Sequence, residues 1–244
     1  MKPKLTWRWM IQLILVAAIA VTLKLYYSSA SADQLRWILA PTTALVELVT
    51  GTRFEFESRA GYLSADHSFL IAPSCAGVNF LITAFLLLTV GKLLRERSQK
   101  PSWGVIPVKA LAAYVATLAA NAVRIGIALR LPRAGENGLL NHAQLHRTEG
   151  IIVYFGFLLL LFAASERGLW TSTSTWLRRS LFPLLLYYVI TIGIPLLNGG
   201  YHQGFEFWEH SAFVLLIPLF LLAPLVVVGL AVGPVKRLAF FERD

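Results

Sequence analysis

Apolar positions along this chain gather into six runs with no polar face, at residues 10–27, 76–94, 105–131, 150–164, 181–197 and 211–232. Each approaches the ~20 residues that an α-helix needs to cross a hydrocarbon core. A helix that is apolar all round is buried in protein or faces lipid. The pattern therefore predicts an all-α polytopic membrane protein of about six transmembrane helices, forming a single membrane-embedded domain over residues 1–244. The segment between the first two runs, residues 28–75, reads differently. Residues 35–50 predict a short helix along the interface, too short to span. Arg53-Phe54-Glu55-Phe56-Glu57 alternates polar and apolar side chains, residues 58–66 supply turn chemistry around Gly61, and residues 67–72 form a second extended run. That succession predicts a small extracytoplasmic β-hairpin.

Composition agrees with the pattern. Of 244 residues, 57% are hydrophobic and 14% charged, and the mean hydropathy is +0.64, which excludes an ordinary soluble enzyme. A net charge of +9 suggests nucleic acid at first, but the placement of the cations removes that partner. Thirteen of the 22 Lys and Arg residues fall at the termini or in segments on one side of the spans, and six on the other. Lys24, Lys109 and Arg124 lie within apolar runs. The positive-inside bias puts both termini in the cytoplasm and makes membrane lipid, not nucleic acid, the surrounding partner. Trp7, Trp9, Trp37, Trp103, Trp170, Trp176 and Trp208 fall near span ends, as an interfacial belt requires. The first run, followed by Ala30-Ser31-Ala32, has features of a signal peptide, yet its length and the outer-edge tyrosines Tyr26 and Tyr27 favour a signal anchor.

The lone cysteine, Cys75, excludes an intramolecular disulfide and a multi-cysteine metal cluster. It sits where a loop enters the second run, at the expected N-terminal end of a helix whose dipole favours a thiolate. The alternative is a small buried hydrophobe. Arg124 stands in the apolar stretch Ala119 to Ile127, where an arginine costs about 3 kcal/mol on insertion scales. Such a charge faces a polar cavity or snorkels to the interface. Asn121, one helical turn earlier, shares its face. His142 and His146 lie in the polar stretch before the fourth run, and histidine suits proton transfer near neutral pH. Their four-residue spacing fits half a zinc site, but Ala-Gln-Leu between them lacks the glutamate of His-Glu-x-x-His, and no metal or cofactor is expected. Glu149, three residues after His146, either orients the imidazole or is a solvated carboxylate. In the predicted topology Cys75, Arg124 and His146 all belong to the outer half of the membrane. A thiol, a fixed cation and a proton carrier at one depth are the parts of nucleophilic acyl transfer.

Cys75-Ala76-Gly77-Val78-Asn79-Phe80-Leu81, Asn121-Ala122-Val123-Arg124 and His146-Arg147-Thr148-Glu149-Gly150, in that order, resemble the exosortase and archaeosortase family of membrane-embedded cysteine transpeptidases. The resemblance covers residues 37–162, with an active-site core at 72–162. Residues 53–62 and Ala72-Pro73-Ser74-Cys75 look most like the exosortase K branch. It implies Cys75, Arg124 and His146 as catalytic residues; Asn79, Asn121, Glu149 and His142 are candidates for a supporting role. It also implies a substrate: the C-terminal sorting signal of an exported protein, of the PEP-CTERM kind, made of a short motif, a transmembrane helix and a basic tail. Cleavage is expected on the outer face of a bacterial inner membrane. Residues 181–232 match nothing in that family. A rhomboid-like serine protease lacks support because Gly-x-Ser-Gly is absent. A non-enzymatic carrier or assembly factor using Arg124 as an anion site is the competing class.

Overall fold

The computed structural model describes residues 7–95, 102–130, 142–165 and 173–241. Its helices are α1 (Trp7–Ser29), α2 (Arg36–Thr50), α3 (Val78–Arg95), α4 (Val105–Arg130), α5 (His142–Ser165), α6 (Thr173–Tyr188), α7 (Ile194–Leu197) and α8 (Phe205–Phe241). Six helical stretches are long and apolar enough to cross a membrane: Trp7–Ser29, Pro73–Arg95, Val105–Arg130, Gln144–Ser165, Ser180–Leu197 and Phe205–Pro224. The chain is an all-α polytopic membrane protein with a small sheet. The fifth span is built from α6, a π-helical turn at Val189–Gly193, and α7. Lys2, Lys4, Arg97, Lys100, Arg133, Arg167, Trp170 and Arg243, all used in reading the topology, lie outside the described residues. The chain divides into two compact units, Met1–His142 and Ala143–Asp244.

In the first unit α1 packs against α3 in antiparallel register. Trp9 Nε1 donates to the Leu93 carbonyl at 2.9 Å near one end, and Lys24 Nζ donates to Asn79 Oδ1 at 2.7 Å near the other. Those bonds are spaced by 15 residues on α1 and 14 on α3, or ~21 Å at 1.5 Å per residue, so they pin nearly the whole contact. The α2 helix buries Ile38, Leu39 and Val46. It is tied to α4 where the Tyr114 hydroxyl donates to the Trp37 carbonyl at 2.6 Å and the two rings stack at 5.9 Å.

Between α2 and α3 the chain forms a three-stranded antiparallel sheet in the order β1 (Phe54–Glu57), β2 (Gly61–Ser64), β3 (Leu70–Ile71). The two-strand hairpin read from the sequence is thus corrected: residues 58–66 are not one turn, because β2 occupies their centre. The reversal closes within residues 58–60. Asp33 accepts from the Ser58 hydroxyl at 3.2 Å and the Arg59 N–H at 2.9 Å, holding Arg59 at φ +68°. Gly61 then passes so close to β3 that a Cβ would lie 2.3 Å from the Ile71 carbonyl oxygen. Tyr62 packs its ring 5.1 Å from Phe56, and the Arg36 guanidinium covers Phe56 at 4.4 Å. Asp66 braces the second reversal, where hydrogen bonds from Ser64 and Ser68 hold its carboxyl down at about 2.

In the second unit the ring of Phe155 on α5 lies 5.4 Å from Tyr187 on α6, and the Tyr188 hydroxyl donates to the Leu215 carbonyl on α8 at 2.7 Å. The α5 helix begins eight residues before the apolar run at 150–164, so its first two turns are polar.

Candidate active site

Cys75 lies in a 3-10 turn, Pro73–Ala76, and the left-handed Gly77 separates that turn from α3. Cys75 thus stands at the N-terminal end of the second span, in a short 3-10 turn that one left-handed residue separates from the first turn of α3. The thiol-bearing residue is half-buried. Its main chain is held at both ends. The Cys75 N–H donates to the Ala72 carbonyl at 2.8 Å, and the Cys75 carbonyl accepts from Asn121 Nδ2 at 2.7 Å. Asn121 is fully buried on α4, and Arg124, one turn further, is 7% exposed. Arg124 is therefore buried in the protein and does not snorkel to a surface. The asparagine joins the arginine-bearing stretch of α4 to the cysteine turn.

Gly77 makes this junction possible. Its φ is +69°, a conformation that L side chains rarely adopt, and a Cβ there would lie 2.9 Å from Asn121 Nδ2. Gly77→Ala is expected to destabilise the protein by about 2–3 kcal/mol, from left-handed strain and the displaced Asn121 bond. Thermal unfolding in detergent checks this, with a changed rate of iodoacetamide labelling at Cys75 as the local readout. An alanine variant unaltered in both would remove the packing argument.

The α1 helix, expected only to anchor the chain, contributes two further polar groups. The Tyr27 hydroxyl lies within electrostatic range of both Cys75 and Arg124. Lys24 Nζ bonds Asn79 Oδ1 and lies 5.9 Å from the centroid of the Tyr27 ring. The signal for Lys24 was the one that singled out Arg124: a cation inside an apolar run implies a polar partner.

In the second unit His146 Nδ1 lies 3.3 Å from Glu149 Oε2, one turn apart on α5. Glu149 is 8% exposed, so it is a buried carboxylate and not a solvated one. Beside this pair, Glu209 of α8 accepts from Gln144 Nε2 at 2.7 Å and Arg147 Nη1 at 3.0 Å. These contacts explain the polar start of α5: its side chains are partnered across to another helix. His142 opens α5, and its side chain lies outside the described residues. Among the described residues no three His, Cys, Asp or Glu side chains converge as metal ligands. The first unit thus carries Cys75, Asn79, Asn121 and Arg124, and the second carries His146 and Glu149.

Comparison of the chain with models of protein families, with curated proteins and with solved structures finds no match in any of the three.

Proposed function

We propose that the chain is a membrane-embedded cysteine protease or transpeptidase that cleaves C-terminal sorting signals of exported proteins. The observation that carries this reading is the Asn121 bond to the Cys75 carbonyl, which ties the turn presenting the sole thiol to the stretch of α4 that buries Arg124. A buried arginine one turn from the asparagine that holds a half-buried cysteine suits a reaction in which negative charge develops on a carbonyl oxygen. In the proposed reaction His146 takes the Cys75 thiol proton, the sulfur attacks the scissile carbonyl, and Arg124 stabilises the oxyanion. The C–N bond then breaks, and His146 gives the departing amine its proton. The resulting thioester passes its acyl group to water or to an amine. The positive-inside bias supports a reading with both termini in the cytoplasm, and the family resemblance implies a reaction at the outer face of a bacterial inner membrane.

The direct test is co-expression with exported proteins that end in a short motif, an apolar helix and a basic tail, followed by mass spectrometry of the product. A free carboxylate at the new C-terminus shows hydrolysis, and a conjugated one shows transfer. An unchanged C-terminus across such substrates would remove the reading in favour of a carrier that uses Arg124 as an anion site.

Arg124→Lys is expected to lower processing ~10²-fold, because lysine keeps the charge and loses the planar five-donor fork. Substrate processing rates in matched membranes measure this. A lysine variant as active as the parent would show that positive charge alone suffices.

A further inference from the structure

We infer that Asn79 is a second donor to the oxyanion, beside Arg124, and that Lys24 is the positioning residue that turns its amide for the task. This rests on the acyl-transfer reading above and extends its machinery to two residues joined across α1 and α3.

An asparagine side chain presents an acceptor and a two-hydrogen donor, and its orientation is decided by its partners. Here the partner leaves one choice. A lysine ammonium only donates, so the 2.7 Å contact from Lys24 Nζ requires Oδ1 to face α1. The Nδ2 group is then turned away from Lys24, and it has no protein acceptor among the described residues. Asn79 stands in the first turn of α3, four residues after Cys75 and two after the left-handed Gly77. Its main chain is anchored as well, since its carbonyl accepts from the Thr83 hydroxyl at 2.7 Å. The cation draws electron density toward Oδ1 and makes the Nδ2 hydrogens better donors, as in polarised hydrogen-bond chains. A donor fixed before the reaction, aimed where charge develops, costs no reorganisation when the carbonyl oxygen becomes an oxyanion.

If Lys24 served only to hold α1 against α3, any well-packed pair would serve. The chemistry separates the two roles, because Cys75 is the sole thiol and two probes distinguish its reactions. With para-nitrophenyl acetate the sulfur forms a C–S bond at the ester carbonyl, and the carbonyl electron pair moves to oxygen. Collapse of that oxyanion breaks the C–O bond and releases para-nitrophenolate, while the thiol proton goes to buffer. With iodoacetamide the same sulfur displaces iodide and no oxyanion forms. Full-length protein in detergent micelles is treated with each probe, and the ratio of acylation to alkylation is compared with that of free cysteine.

The wild-type ratio is expected to exceed that of free cysteine. Asn79→Leu and Asn79→Asp are expected to lower acylation ~10²-fold, the usual effect of removing one oxyanion donor, while alkylation stays within ~3-fold. The aspartate variant keeps a partner for Lys24 and so preserves the helix contact. Lys24→Met is expected to lower acylation ~10-fold, and Lys24→Arg, which still only donates, to restore it to within ~3-fold of the parent. A wild-type ratio no higher than that of free cysteine would overturn the acyl-transfer reading itself. An elevated wild-type ratio that survives in both Asn79 variants would overturn the role of Asn79 alone. Equal loss of acylation and alkylation in those variants would also overturn it, by showing that they disturb the turn and not the oxyanion.

Discussion

Cys75→Ala is expected to abolish processing of a C-terminal sorting signal while leaving the protein folded and inserted. The two effects separate because Cys75 takes part in the structure through its main chain. Its N–H donates to the Ala72 carbonyl and its own carbonyl accepts from Asn121. Alanine keeps both bonds and the 3-10 turn, and it loses only a half-buried sulfur, so the expected change in stability is about 1 kcal/mol or less. The chemical loss is of another order. Removing a nucleophile that acts as one unit with its partners lowers kcat by ~10⁴-fold or more. Cys75→Ser is expected to be nearly as inactive, because a serine hydroxyl is a far weaker nucleophile than a thiol at neutral pH. Processing is read from the mass of the product, and folding from the unfolding temperature in detergent. Normal processing by the alanine variant would remove the cysteine mechanism altogether.

The parts of the structure legible in the sequence are those set by local composition. Six apolar runs of spanning length identified the six membrane-crossing stretches, because a lipid core demands the same apolar surface at every turn of helix. The α2 helix was legible from its length and apolar content. The β2 strand was not. Four residues give too short a stretch for alternation to outweigh the turn chemistry of Ser58, Arg59 and Gly61, and its pairing depends on Asp33, which closes the reversal from 25 residues away. The early start of α5 was hidden for a related reason. Gln144 and Arg147 read only as part of a polar stretch until Glu209, more than 60 positions later, supplies their acceptor. Cys75, Arg124 and His146 were singled out as candidates by residue type alone. Their surroundings were not legible: the Asn121 bond spans 46 positions and the Lys24 bond 55, and each depends on which side-chain rotamers fit between packed helices.

His146→Ala is expected to stop turnover and still permit slow labelling of Cys75, whereas His142→Ala is expected to keep activity within ~3-fold of the parent. The spacing to Gly150 in the resembling motif favours His146, and the geometry supplies an independent reason. Glu149 lies 3.3 Å from His146 Nδ1 and is almost wholly buried. A carboxylate at ion-pair distance from Nδ1 favours a proton on that nitrogen and leaves Nε2 for proton exchange, the role an orienting carboxylate has in hydrolase triads. Loss of the imidazole removes proton delivery to the leaving amine, a contribution of ~10²–10⁴-fold, yet the thiol keeps its place in the 3-10 turn and remains open to alkylation. Glu149→Gln is expected to fall between parent and His146→Ala, since an amide still contacts Nδ1 but no longer carries the charge that stabilises an imidazolium. Rates of processing and of iodoacetamide labelling, measured on all four proteins across the neutral pH range, distinguish these cases. Inactivity of His142→Ala together with full activity of His146→Ala would overturn the assignment. Equal activity of Glu149→Gln and the parent would leave His146 as the proton carrier and remove the carboxylate from the mechanism.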